Sequence, residues 1–252
     1  MKILVTGMSG LIGGAARVAL EPDHELTALN RSDVAGVNTH RADIGDYEAI
    51  RPAFDDQEVV IHLAALAGEN YTWAELRDTN VEGTRHVFHA AADAGVKRVV
   101  FASSGATVAG CENDEPYKSL VEGRYEDLPD TWPMISVSMP PRPRGIYGST
   151  KVWGEALAQH FADTTATSFI NIRIGYVNKE DKPTNKRQRC VWCSQRDVVN
   201  AIVASVGAPE SLRCGTFFSS SRNRYGYREL DHGRILVGFE PMDSAEGAEG
   251  TE

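Results

Sequence analysis

The chain has 252 residues, 42% of them hydrophobic and 24% charged, and a net charge of −9. This is ordinary soluble composition, enough for one large α/β domain. The mild acidity argues against nonspecific binding to nucleic acid or anionic membranes, and no apolar run nears the roughly 18 residues that a membrane helix needs.

A strand over residues 2–6 opens the chain and leaves no room for a signal peptide. It runs into Thr6-Gly7-Met8-Ser9-Gly10-Leu11-Ile12-Gly13, and a helix rich in small residues follows over 11–20. Further strands are predicted at 25–29, 37–40 and 58–63. The last is a near-continuous apolar run, as expected of a strand buried on both faces. A helix over 73–94 is closed by Gly95. A strand at 98–102, a helix at 147–161, a strand at 167–174, a helix at 197–206 and a strand at 216–219 continue the alternation. Such alternation implies a parallel sheet with helices on both faces. Residues 245–252 are small and acidic and are expected to fray.

Two segments break the pattern. Residues 111–143 are long, polar and proline-rich, with Tyr117, Tyr125, Trp132 and Met134 scattered through them. A loop of this length in a compact domain is usually functional, and its place before Tyr147 favours a lid over a site. The alternative is a surface excursion or an oligomer contact. Residues 178–189 carry Lys179, Lys182, Lys186, Arg187 and Arg189. Such a run is usually solvated. The four cysteines fit a reducing cytoplasm. Cys190-Val191-Trp192-Cys193 has no second pair for zinc and no thioredoxin-like strand before it, so no metal site is expected.

Two motifs carry chemistry. A glycine-rich turn between strand and helix permits close approach of a pyrophosphate to a helix N-terminus, the context of a Rossmann-type dinucleotide fold. Tyr147 and Lys151 are four residues apart and share one helix face. An ammonium beside a phenol favours the phenolate. Bringing a tyrosine from about 10 to near 7 needs about 4 kcal/mol, which one cation and a positively charged nicotinamide can supply. The result is a base that takes a proton from a hydroxyl.

With His62-Leu63-Ala64-Ala65, Asn80-Val81-Glu82-Gly83-Thr84 and Phe101-Ala102-Ser103-Ser104, these motifs resemble the extended short-chain dehydrogenase/reductase superfamily, also called NAD-dependent epimerase/dehydratase. The similarity is greatest to uronate dehydrogenase-like proteins. It extends over nearly the whole chain, through Asn171-Ile172-Arg173-Ile174-Gly175, residues 192–197 and residues 238–246. The resemblance implies a doubly wound parallel α/β sheet in a single domain over 1–252, with 111–143 as a lid insertion and 176–252 as a small substrate-binding portion. It implies catalysis by Ser104, Tyr147 and Lys151, with Thr107 as a second candidate hydroxyl. The cofactor would lie against Gly7, Gly10, Leu11, Ile12, Gly13, Asn30, Arg31, Asp43, Ile44, Leu63, Ala64, Ala65, Asn80, Tyr147, Lys151 and Ile174. Asn80 has an alternative role as a buried amide that satisfies backbone groups.

The substrate would meet Ser104, Gly105, Tyr176 and Arg187, the last matching the arginine that grips the substrate carboxylate in the uronate enzymes. Arg189 is the alternative. The uronate pattern has Asn-His where this chain has Gly105-Ala106, a small hydroxyl residue near Ala67 and serine at Tyr176. Those changes remove polar contacts to a sugar. Asn30 stands where the uronate enzymes carry aspartate, and Arg31 follows it, which favours NADP while leaving NAD open. The expected activity is oxidation of a sugar or sugar-acid hydroxyl, on a small and possibly anionic molecule. The alternatives are a nucleotide-sugar epimerase, dehydratase or reductase and a non-catalytic dinucleotide sensor. A homo-oligomer is implied without a fixed order.

Overall fold

The computed structural model describes residues 1–249. Its elements run β1 (Lys2–Thr6), α1 (Leu11–Leu20), β2 (Glu25–Asn30), β3 (Asn38–Arg41), α2 (Tyr47–Ile50), β4 (Val59–His62), α3 (Trp73–Leu76) and α4 (Thr84–Asp93). They continue with β5 (Arg98–Ser104), α5 (Tyr117–Glu122), α6 (Gly145–Thr164), β6 (Ser168–Ile174), α7 (Gln188–Val191), α8 (Gln195–Val206), β7 (Cys214–Ser219), α9 (Asp231–Val237) and α10 (Ala245–Glu249).

Alternating burial along the strands sets the layers. In β1, Ile3 and Val5 face one core and Leu4 the other. In β4, Val59 and Ile61 join the first core and Val60 the second, and β5 divides Val100 from Val99 and Phe101 in the same way. Helices α1 and α8 cover the first face, and α4 and α6 the second. The strands pair in parallel in the order β3-β2-β1-β4-β5-β6-β7. This is the Rossmann arrangement, and the order reverses between β1 and β4. Such a reversal opens a crevice beyond the carboxyl ends of the strands.

The structure departs from the sequence expectation at several points. The helix expected over 73–94 is interrupted, because Arg77–Gly83 is π-helical. Apolar spacing does not register one extra residue per turn. Strand β2 runs on to Asn30 and β5 to Ser104, where pairing with β6 continues as far as Ile174. Residues 245–249, expected to fray, are helical. They form α10, with Ala245 buried and its N–H donated to Asn223 Oδ1 at 3.0 Å. The remainder of that expected tail, 250–252, lies outside the described residues.

The aromatic residues of 111–143 serve packing. Tyr117, Leu120 and Ile135 build a third apolar cluster with Val191, Phe218 and Tyr227. Trp132 donates to the Gly226 carbonyl at 3.0 Å, and Tyr125 stacks on Tyr225 with ring centroids 3.7 Å apart. The segment is thereby fastened to residues 225–228.

Candidate active site

The glycine turn between β1 and α1 is built for close approach. Gly7 has φ +73°, and a Cβ there would lie 2.8 Å from the Ala64 nitrogen. A Cβ at Gly13 would lie 2.5 Å from the Gly7 carbonyl oxygen, so α1 packs hard onto the turn. Gly10, which lines the crevice, caps α1 with no side chain, so the first N–H groups of the helix have no side-chain cap. The facing loop is fixed by Thr6, whose hydroxyl accepts from Ala64 N at 3.1 Å and meets His62 Nδ1 at 2.8 Å. Burial lowers the His62 imidazole to about 3, so the ring is neutral and links Thr6 to Thr84.

Two adjoining hollows follow, with volumes of about 310 and 420 Å³, both touching Leu63 and Ala65. The first brings together Gly7, Gly10, Asn30, Arg31, Asp43 and Ile44 with Leu63, Ala64 and Ala65. Asn30 is buried and donates to Ser9 Oγ at 2.7 Å, while its Oδ1 has no partner. Arg31 and Arg41 line a further, more open hollow that shares Arg31, Ala42 and Asp43 with the first.

The second hollow brings together Ser104, Gly105, Tyr147, Lys151, Ile12, Ile174, Tyr176 and Arg187. Helix α6 presents Tyr147 and Lys151 on the face toward the end of β5. Burial raises the Tyr147 phenol above its usual value, a hydrogen bond with Ser104 opposes this, and Glu69 adds to it. Lys151 is buried, donates to the Ala102 carbonyl at 2.8 Å and lies 4.8 Å from the centre of the Phe101 ring. Burial lowers the ammonium to about 7 against the opposing charge of Glu155. Glu155 is itself clamped by Arg173 at 2.9 and 2.8 Å and by Ser103 at 2.5 Å. The spacing of the two residues suggested an ammonium that favours the phenolate; burial acts the other way, raising the phenol and lowering the ammonium.

Arg187 turns inward while Lys179, Lys182 and Lys186 remain exposed. Its Nε and Nη2 are committed to Glu112 at 2.6 and 2.7 Å. Glu112 is buried and also accepts from Tyr227 at 2.6 Å and Arg144 at 3.0 Å. Burial alone would raise its carboxyl, but Arg187 and Tyr227 outweigh this and hold it below the ordinary value. Glu112, Arg144, Tyr227 and the pocket-lining Arg228 were not found by sequence reasoning. Glu112 bonds across 75 and 115 residues, and no local pattern marks such partners.

Other candidates lie elsewhere. Asn80 accepts from Leu66 N at 2.8 Å and donates to Leu66 O at 2.9 Å, which pins the loop after β4. It lines neither hollow, and nor do Leu11 and Gly13. The Thr107 hydroxyl is spent on the Ser104 carbonyl at 2.8 Å. Arg189 is exposed and away from the pocket lining. Cys190 and Cys193 are buried free thiols, with burial pushing Cys190 up to about 12 and Cys193 higher still. No helix among the described residues is long and apolar enough to cross a membrane.

A family model described as NAD dependent epimerase/dehydratase matches residues 3–178. An L-arabinose 1-dehydrogenase (NAD(P)(+)) of Haloferax volcanii is 30% identical, over 97% of each chain. An NAD-dependent glucose-6-phosphate dehydrogenase of the same organism is 27% identical, over 96% of this chain and 94% of its own. A mutant of Agrobacterium tumefaciens uronate dehydrogenase complexed with NAD superposes with a TM-score of 0.82 at 29% identity, covering 98% of this chain and 87% of that one.

Proposed function

The chain belongs to the NAD dependent epimerase/dehydratase family, and on that premise we propose an NAD(P)-dependent oxidoreductase that oxidises a sugar or sugar-acid hydroxyl. The observation that carries this reading is the placing of Ser104, Tyr147 and Lys151 together in a hollow that adjoins the glycine-lined one. The residues suit a dinucleotide. The turn has no room for a Cβ at Gly7, the first N–H groups of α1 have no side-chain cap, and the Asn30 Oδ1 is an unused acceptor.

When bound, the oxidised nicotinamide supplies the hydride acceptor and a positive charge. Ser104 and Tyr147 hold the substrate hydroxyl. Tyr147 takes its proton as the C–H bond on the same carbon breaks, leaving a carbonyl, or a lactone if the anomeric carbon reacts. Lys151 lowers the cost of the phenolate and bonds the nicotinamide ribose. Glu155 opposes the effect of burial on Lys151 and so favours its charged form. Tyr176, Arg187 and Arg228 line the substrate side, and segment 111–143 backs it through Glu112.

NADP is the favoured cofactor in this reading. Asn30 brings no charge to repel a 2′-phosphate, and Arg31 and Arg41 stand beside the hollow next to it. The test is a panel of aldoses, sugar acids and sugar phosphates with NAD and with NADP, read at the absorbance of the reduced nicotinamide. Reduction by at least one sugar is expected. No reduction across the panel would overturn the reading.

A further inference from the structure

Arg228 is 4% exposed, yet its Nε and Nη1 have no partner. Its Nη2 donates to the Gly105 carbonyl at 3.3 Å, and its guanidinium lies 5.6 Å from the centre of the Tyr227 ring and 6.0 Å from that of Phe218. It lines the same hollow as Ser104, Tyr147 and Lys151. A Cβ at residue 105 would overlap the guanidinium, so Gly105 makes the space that lets it stand beside the reacting groups. The nearby carboxylate is Glu112, already engaged by Arg187, Arg144 and Tyr227. A buried cation with unused donors is costly unless something fills them.

We propose that Arg228 binds an oxyanion on the substrate, a carboxylate or a phosphate. Arg187, with its fork closed on Glu112, braces the pocket. This selects a sugar acid or sugar phosphate over a neutral sugar. The inference rests on the dehydrogenase reading and names its substrate class.

The test compares wild type with Arg228→Met, Arg228→Lys and Gly105→Ala on D-glucuronate, glucose 6-phosphate and L-arabinose. Arg228→Met should raise the KM for the better anionic substrate by about 10- to 150-fold, the loss typical of a charged hydrogen bond, and raise that for arabinose far less. Arg228→Lys keeps the charge and should recover part of the difference. Gly105→Ala displaces the guanidinium without deleting it and should lose the same selectivity, which keeps the idea testable if the methionine variant does not fold. The relative loss on glucuronate and glucose 6-phosphate separates carboxylate from phosphate.

A second readout is the thermal shift of the dinucleotide-loaded protein with glucuronate or inorganic phosphate. One of the two should stabilise wild type and lose that effect in the Arg228 variants. If no sugar is oxidised, the dehydrogenase reading fails, and this shift still decides the role of Arg228. An equal KM change for charged and neutral sugars, or equal thermal shifts in wild type and variants, overturns the proposal.

Discussion

Replacing Lys151 by methionine should abolish turnover and make the dinucleotide-free protein more stable. Burial lowers the Lys151 ammonium from 10.5 to about 7. At 1.36 kcal/mol per pKa unit, that burial costs about 5 kcal/mol at a pH where both folded and unfolded states carry the proton. The methionine variant removes this cost but strands the Ala102 carbonyl, a loss of about 2 kcal/mol for a charged hydrogen bond. A net gain of about 3 kcal/mol remains, or a rise of about 6–12 °C in Tm for a chain of this size.

The sign with pH follows from the same values. Below pH 7 the penalty on wild type is complete. Between about 7 and 10.5 the folded lysine loses its proton while the unfolded one keeps it, so wild type gains stability and the difference shrinks. Paired melts of the dinucleotide-free proteins at pH 6, 7, 8 and 9.5 read this directly. A methionine variant that melts at or below wild type at pH 6, or a gain that stays constant to pH 9.5, refutes the reasoning. In that case Glu155 offsets the burial fully.

Three further outcomes are expected. Tyr147→Phe should lower turnover by about 100- to 10,000-fold, with dinucleotide affinity by calorimetry nearly unchanged. More than a tenth of wild-type turnover would remove Tyr147 from the role of base. Arg31→Ala should weaken NADP more than NAD in titrations, by about 1 kcal/mol or more, and equal losses would mean the side chain only stacks on adenine. Glu112→Ala leaves the Arg187 guanidinium without its carboxylate and should destabilise the fold by about 3 kcal/mol in urea unfolding, with unchanged stability arguing that water replaces the pair.

The sequence alone determined the sheet and its order of elements, because strand periodicity, the glycine turn and Gly95 are local features. It put Tyr147 and Lys151 on one helix face through their i,i+4 spacing, while Ser104 came from the family resemblance. Tertiary structure decided the state of those groups. The charge of Lys151 depends on burial against Phe101 and on Glu155, itself held by Arg173 from another strand. The spacing of Tyr147 and Lys151 says nothing of that environment. Tertiary structure also decided the substrate side. Whether Arg187 meets a ligand or a carboxylate turns on Glu112, and Gly105 has meaning only once Arg228, 123 residues later, lies over it. Such long-range pairs are set by packing of segments whose local sequence is merely polar.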